Sequence, residues 1–212
     1  MFIPKVFEQT NRQQLIELMQ AYPLATVIFS DNSLPVACHI PVLYINDERG
    51  ERLIGHVHRC NPLWQHTDKP WLVIFHGANH YISANWYPSK QQTHKEVPTY
   101  NYQAVHITVQ ATLIEDLPSV KQILSITTDY FEEHLATQIH HHPWKIDDAP
   151  SEFIDKMCPA LVAFEMNIVD IQAQFKLSQN KSDENRQGVI DGLGQLDTDA
   201  ARQMAMLVKH AK

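Results

Sequence analysis

Between Ala25 and Asp116 the chain alternates between short apolar runs and turn residues. ATVIFSD, PVACHIPVLYI, RLIGHVHRC, WLVIFHG and HYISANWY each read as a strand, the fourth closed by Gly77 and the fifth running into a bend. YNYQAVHITVQATLIED is a longer one, with β-branched residues at Val105, Ile107, Thr108 and Val109. The punctuation is Asn32-Ser33, the DERGE turn with Gly50, Asn61-Pro62 at the start of one short helical turn, and a polar loop after Tyr87. Short strands at this spacing predict an antiparallel barrel or sandwich. Around them the pattern is helical. Thr10 to Tyr22 carries Leu15, Leu18 and Met19 on one stripe, with Thr10 as the expected cap and Gln13 reaching back to it. Pro118 opens a second helix with Val120, Ile123, Leu124, Tyr130 and Phe131 on its apolar stripe. Ser151 to Met157 reads as a short helix, PALVAFEMNIVDIQAQFKL as a return to strand, and Ser182 to Leu193 and Asp197 to His210 as terminal helices. The expected class is α+β, an antiparallel barrel with flanking helices.

Composition narrows the function. A length of 212 residues allows one domain with a small appendage, here a C-terminal helical extension from about 182 to 212. A hydrophobic share of 44% with 19% charged residues suits a real core. The formal net charge of −7 gives no domain-wide basic footprint for nucleic acid. Cys38, Cys60 and Cys158 are scattered, odd in number and without a Cys-x-x-Cys pair, which reads as reduced thiols in a cytoplasmic protein. MFIPKVFEQT lacks the apolar core of a signal peptide, and no apolar run approaches the ~20 residues of a membrane span. A soluble cytoplasmic protein without membrane partners is the expectation.

Among chemistry-bearing residues, His56 and His58 share a strand face, which suits a metal, but no third ligand follows at a familiar spacing. His140, His141 and His142 read as a loop before Pro143-Trp144, so no metal site is expected. Gly-x-Ser-x-Gly, the P-loop and Gly-x-Gly-x-x-Gly are absent from the sequence. What stands out is polar decoration on strands, in GHVHRCNP, YISANWYPSK and VPTYNYQAVH. Arg59 and Lys90 suit a phosphate, one as a fork and the other as a point charge. Trp86, Tyr87, Tyr100 and Tyr102 suit either a planar ring or ordinary barrel packing. No clear general base emerges, although His56 and His106 are candidates.

Taken in order, several short motifs form one set: Pro23-Leu24-Ala25-Thr26, His39-Ile40-Pro41, Gly55-His56, Arg59 and Asn61-Pro62 in the first half, then Tyr81-Ile82-Ser83, Trp86-Tyr87 and Lys90. Val97-Pro98-Thr99, Asn101-Tyr102, Val105-His106 and Lys176-Leu177-Ser178-Gln179-Asn180 complete it. This set resembles the PaiB family of FMN-binding negative transcriptional regulators. The resemblance runs from the first residues to Leu193. The family usually has Ala where this chain has His58 and Cys60, Trp in place of Tyr100 and often Pro in place of Ala84.

The resemblance implies an FMN-binding split barrel, of the group that also holds pyridoxamine-phosphate oxidases and flavin reductases, and a homodimer with FMN at the subunit interface. On that basis Arg59 and Lys90 are expected on the FMN phosphate, with Ser83 and Asn61 donating hydrogen bonds. His39 is expected beside the isoalloxazine edge, with His56 also in the cofactor site. Trp86, Asn101 and Tyr102 are expected to close the pocket. Lys176 and Ser178, placed on one strand face, are expected to face the ligand or the dimer seam, with Lys181 solvated. A regulator, a flavin-dependent oxidoreductase and a flavin or haem carrier all remain open. DNA binding has thin support in Lys181, Arg186, Arg202, Lys209 and Lys212 of the terminal helices.

Overall fold

The computed structural model describes residues 1–30, 34–140 and 142–211; the expected Asn32-Ser33 turn and His141 of the histidine run fall outside them. Six strands form a closed ring in the order β1-β2-β3-β6-β5-β4. Their ranges are β1 Leu24–Ser30, β2 Pro35–Asp47, β3 Gly50–His58, β4 Trp71–Ile82, β5 Thr99–Ile114 and β6 Leu161–Lys176. The helices are α1 Arg12–Ala21, α2 Pro88–Thr93, α3 Leu117–Ile139, α4 Ser151–Met157, α5 Asp183–Gly194 and α6 Asp199–His210. Among the described residues no helix is long and apolar enough to cross a membrane. By backbone proximity the chain forms two compact units: Met1–Ala21 with Phe75–His106 and Gln172–Lys212, and Tyr22–Ile74 with Ile107–Ile171.

In the second of these units β2 changes partner. Its first half pairs with β1, from Ser30↔Pro35 to Leu24↔Pro41. Its second half pairs with β3, from Val42↔Gly55 to Asp47↔Gly50. The switch falls at Pro41, which has no N–H to give a ladder, and the next amide, Val42 N, donates to Pro23 O at 2.8 Å. Gly50 closes the β2–β3 hairpin at φ 89°, a conformation glycine adopts without steric cost.

Alternation puts Val27, Leu53, Val57, Val73, Phe164 and Met166 in the core. Trp71 meets Phe164 edge-on, with ring centroids 5.1 Å apart, and its indole N–H donates to His66 O at 2.7 Å. Ile54 is as buried as its neighbour Leu53, because the opposite sheet face is covered as well. Leu43, Ile54 and Ala163 pack there against Val120 and Ile123 of α3 and against Cys158. Asp116 starts α3 by accepting from Ser119 N at 3.0 Å; hydrogen bonding from the Ser119 hydroxyl, then from its amide, holds the Asp116 carboxyl below the usual carboxylate range.

The first unit corrects the sequence reading in three places. Gly77 does not end a strand; β4 runs through it to Ile82. A Cβ at Gly77 would lie 2.9 Å from Leu18 Cδ1 and 3.0 Å from Gln103 Cβ, so glycine is there for close packing. At the start of α1 the cap is Asn11, which accepts from Gln14 N at 3.3 Å, rather than Thr10. The polar loop after Tyr87 contains α2.

Candidate functional site

The eleven residues expected at the cofactor fall in both compact units, four in the second and seven in the first.

In the second unit, His39 on β2 stands opposite Thr26 of β1, and its Nδ1 lies 3.1 Å from the Thr26 hydroxyl. His56 is on β3, and its Nδ1 is buried without a hydrogen-bond partner among the described residues. Burial pushes the His56 pKa below its ordinary value, so the ring is neutral with an unmet polar atom. Arg59 lies in the turn after β3. Its Nε donates to Pro159 O and its Nη1 to Glu115, each at 3.1 Å, and the guanidinium lies 5.3 Å from the centre of the Trp64 ring. These bonds use two of its five donors. Asn61 accepts from Leu63 N at 3.0 Å, capping the turn Pro62–Gln65, and from Cys38 Sγ at 3.4 Å.

Among the described residues, the outward positions where β1 pairs with the first half of β2 and with β4 carry no acidic, lysine or arginine side chain. Leu24, Thr26 and Ile28 of β1 pair with Pro41, His39 and Ala37 of β2, and Thr26 and Ile28 pair with Ile74 and Leu72 of β4. Leu24 is 66% exposed, and Ala37, His39 and Pro41 are exposed too.

In the first unit Ser83 accepts from Asn85 N at 3.2 Å and so starts the turn Ala84–Trp86. The chain then enters α2, where Lys90 Nζ donates to Asn85 Oδ1. Lys90 meets no carboxylate among the described residues, so its charge is uncompensated. Trp86 is half-buried, with the His80 ring 6.5 Å away, and Tyr102 is half-buried on β5.

The C-terminal signature departs from the expected alternation. Strand β6 ends at Lys176, and Ser178 has φ 65°, so the two do not share a strand face. Ser178 is 3% exposed and Asn101 is fully buried; the Asn101 amide donates to the Ser178 hydroxyl at 2.9 Å. Lys176 Nζ donates to Thr99 Oγ1 and lies 5.8 Å from the centre of the Phe7 ring. Burial, then the Lys181 charge, lowers its pKa. Lys181 is not simply solvated: it pairs with Glu96 at 2.5 Å and lies over the Tyr87 ring at 4.6 Å.

The sequence reading missed Asn185, Glu96, Gly188 and Gly192. Asn185 accepts from Ser89 N and donates to Ser89 Oγ and Glu96 Oε1. The available signal was the spacing of Asn185, Gly188 and Gly192, which puts them on one face of a helix.

Within the first unit, the Lys90 ammonium, which meets no carboxylate among the described residues, and the Ser83 hydroxyl suit a phosphate, and the half-buried Trp86 indole suits a planar ring such as that of FMN.

The comparisons with known proteins agree with the fold. A family model described as "Putative FMN-binding domain" matches residues 1–170. The chain belongs to this family of FMN-binding domains, and FMN is the cofactor that membership assigns. It is 30% identical to protease synthase and sporulation protein PAI 2 of Bacillus subtilis, over 99% of this chain and 97% of that one. An uncharacterized protein of Aspergillus fumigatus is 28% identical over 99% of this chain and 97% of its own length. Among solved structures, the FAD and heme binding protein from Mycobacterium smegmatis superposes with TM-score 0.57 at 18% identity, covering 80% of this chain and 73% of that one. The flavocytochrome Anf3 from Azotobacter vinelandii gives TM-score 0.58 at 14% identity, covering 80% and 69%. At these identities the likeness is one of fold, the antiparallel split barrel with flanking helices.

Proposed function

We propose that the protein is a homodimeric FMN-binding regulator of the PaiB type, in which the segment from Ser83 to Lys90 takes the FMN phosphate. The observation that carries this reading is the uncompensated Lys90 ammonium in the same short segment as the Ser83 hydroxyl. A phosphomonoester carries about −1.5 to −2 charges at neutral pH. Lys90 supplies a point charge and Ser83 a rotatable hydroxyl donor. Bound FMN supplies redox chemistry of its own; the chain binds, orients and shields it. The uncharged, exposed sheet face around Leu24 supports the dimer. The regulatory role rests on the full-length identity to the Bacillus sporulation protein. A net charge of −7 confines any DNA contact to a local patch.

The test is a titration of purified protein with FMN and with riboflavin, which lacks the phosphate. FMN binds more tightly, and Lys90→Ala weakens FMN by about tenfold or more while leaving riboflavin nearly unchanged. A protein that is colourless as purified and refuses added FMN sinks the reading. Arg59→Ala, measured in the same way, tests the expectation for the second unit. A gel shift that weakens with salt separates a DNA-binding regulator from a flavoprotein that only carries its cofactor.

A further inference from the structure

The segment that carries Ser83, Trp86 and Lys90 has little structure of its own. Helix α2 has six residues, too few to stand alone in water. Tyr87 stands at its N-cap position and makes no side-chain cap. The first amides of a helix need acceptors from elsewhere. For Ser89 N the acceptor is Asn185 Oδ1 on α5, at 3.2 Å. The same side chain donates through Nδ2 to Ser89 Oγ at 2.9 Å and to Glu96 Oε1 at 3.2 Å. Ser89 Oγ in turn donates to Glu96 Oε1 at 2.9 Å, and Lys181 holds the other Glu96 oxygen at 2.5 Å. Asn185 is only 4% exposed, so these bonds form away from water.

Two further points on α5 fix the same segment. At Gly188 the Trp86 carbonyl oxygen lies 2.0 Å, and Pro88 Cδ 2.7 Å, from where a Cβ would be. At Gly192 the Trp86 indole Cγ lies 2.3 Å from where a Cβ would be. Asn185, Gly188 and Gly192, three and four residues apart, share one helix face. The family match ends at residue 170, well before α5.

We infer that Asn185 is a positioning residue for the cofactor: it caps α2 from α5 and, with Gly188 and Gly192 beneath Trp86, sets Lys90 and Ser83 for the FMN phosphate. This rests on the reading that the Ser83–Lys90 segment takes that phosphate. Asn185 touches Ser89 rather than the ligand, so its effect falls on the phosphate end and spares the ring.

The test compares wild type with Asn185→Ala, using FMN and riboflavin affinities and hydrogen exchange of the Ser89 amide. Asn185→Ala is expected to weaken FMN about three- to tenfold, as loss of one or two hydrogen bonds does, to move riboflavin less than about twofold, and to speed Ser89 exchange. Ser89→Ala leaves the cap in place, so it removes only the hydroxyl end of the contact. It gives a smaller change in the same direction, and it serves if Asn185→Ala does not fold. Equal weakening of FMN and riboflavin makes Asn185 a general fold residue and overturns the inference. So does unchanged FMN affinity in both variants when wild type discriminates between the ligands. A wild type that binds FMN and riboflavin equally overturns the reading beneath it, and the two failures are thereby distinguished.

Discussion

One substitution made at two glycines of the same helix gives opposite signs. In α5, Gly188→Ala and Gly194→Ala carry the same intrinsic gain, because alanine is up to about 1 kcal/mol better than glycine within a helix. At Gly194 nothing lies within 4 Å of the new methyl group and φ is not in the left-handed region, so the gain is kept in part or whole. At Gly188 the methyl group would sit 2.0 Å from the Trp86 carbonyl oxygen, against 3.4 Å or more for ordinary contact. The obstacle is backbone, so no rotamer change relieves it; α5 or the Trp86 segment must move by more than an ångström. Overpacking of this kind costs typically about 1–3 kcal/mol, and a clash with backbone belongs at the upper end. The net expectation is a loss of about 2 kcal/mol for Gly188→Ala and a gain of up to about 1 kcal/mol for Gly194→Ala. For a chain of this size these correspond to a fall in Tm of about 4–8 °C and a rise of up to about 4 °C. Thermal unfolding followed by circular dichroism or calorimetry reads both. Two shifts of the same sign would refute the packing of α5 on Trp86.

Other consequences follow from buried charge and exposed apolar surface. Arg52 is buried and bonds Asp47 through both terminal nitrogens, at 2.7 Å each, and Glu165 through Nε at 3.3 Å. The Arg52 hydrogen bond, then the Arg49 amide, holds the Asp47 carboxyl far below the usual carboxylate range. Its contribution is complete above the unfolded carboxylate pKa of about 3.9 and is lost as pH falls toward the folded value. Arg52→Met should flatten this acid limb in urea melts run across pH; a variant with the wild-type acid slope would show that the pair does not govern it. At His56 the cause is burial, which lowers its pKa in the folded chain, so stability should fall as pH drops below the unfolded histidine pKa of about 6.5. His56→Gln should remove that part of the slope, and an unchanged profile would contradict it. For the homodimer proposed above, Leu24→Lys puts a charge on this uncharged patch and is expected to give a monomer in sedimentation experiments without lowering Tm. A variant that stays dimeric places the interface elsewhere.

Much of the fold was legible because strand periodicity is local. The β1–β2 and β2–β3 pairings and the burial of α1 through Leu15, Leu18 and Met19 follow from spacing and turn residues that stand next to each other in the chain. Gly77 was misread because a glycine that ends a strand and one that admits Leu18 and Gln103 look alike in sequence. Helix α2 was missed for a related reason: its polar residues carry no apolar stripe, and its cap is supplied by α5. The alternation assumed for Lys176 and Ser178 failed at a left-handed serine, a conformation rare enough outside glycine that no propensity forecasts it. Charge type singles out Arg59 and Lys90 as phosphate candidates, but their neighbours Glu115 and Asn85 differ, one a carboxylate and the other an amide, and only coordinates give that difference.

The cap on α2 also has a bearing on how the chain acquires its structure during synthesis. The donor Ser89 N and the acceptor Asn185 Oδ1 are 96 positions apart. A ribosome delivers residues in order, at about 5–20 per second, so Ser89 leaves it several seconds before Asn185 does. Over that interval the Trp86–Lys90 stretch lacks its acceptor and its glycine seat, while the barrel strands before it already have local partners. A chain cut before Ser182 would carry the whole matched region 1–170 and still leave this stretch unanchored.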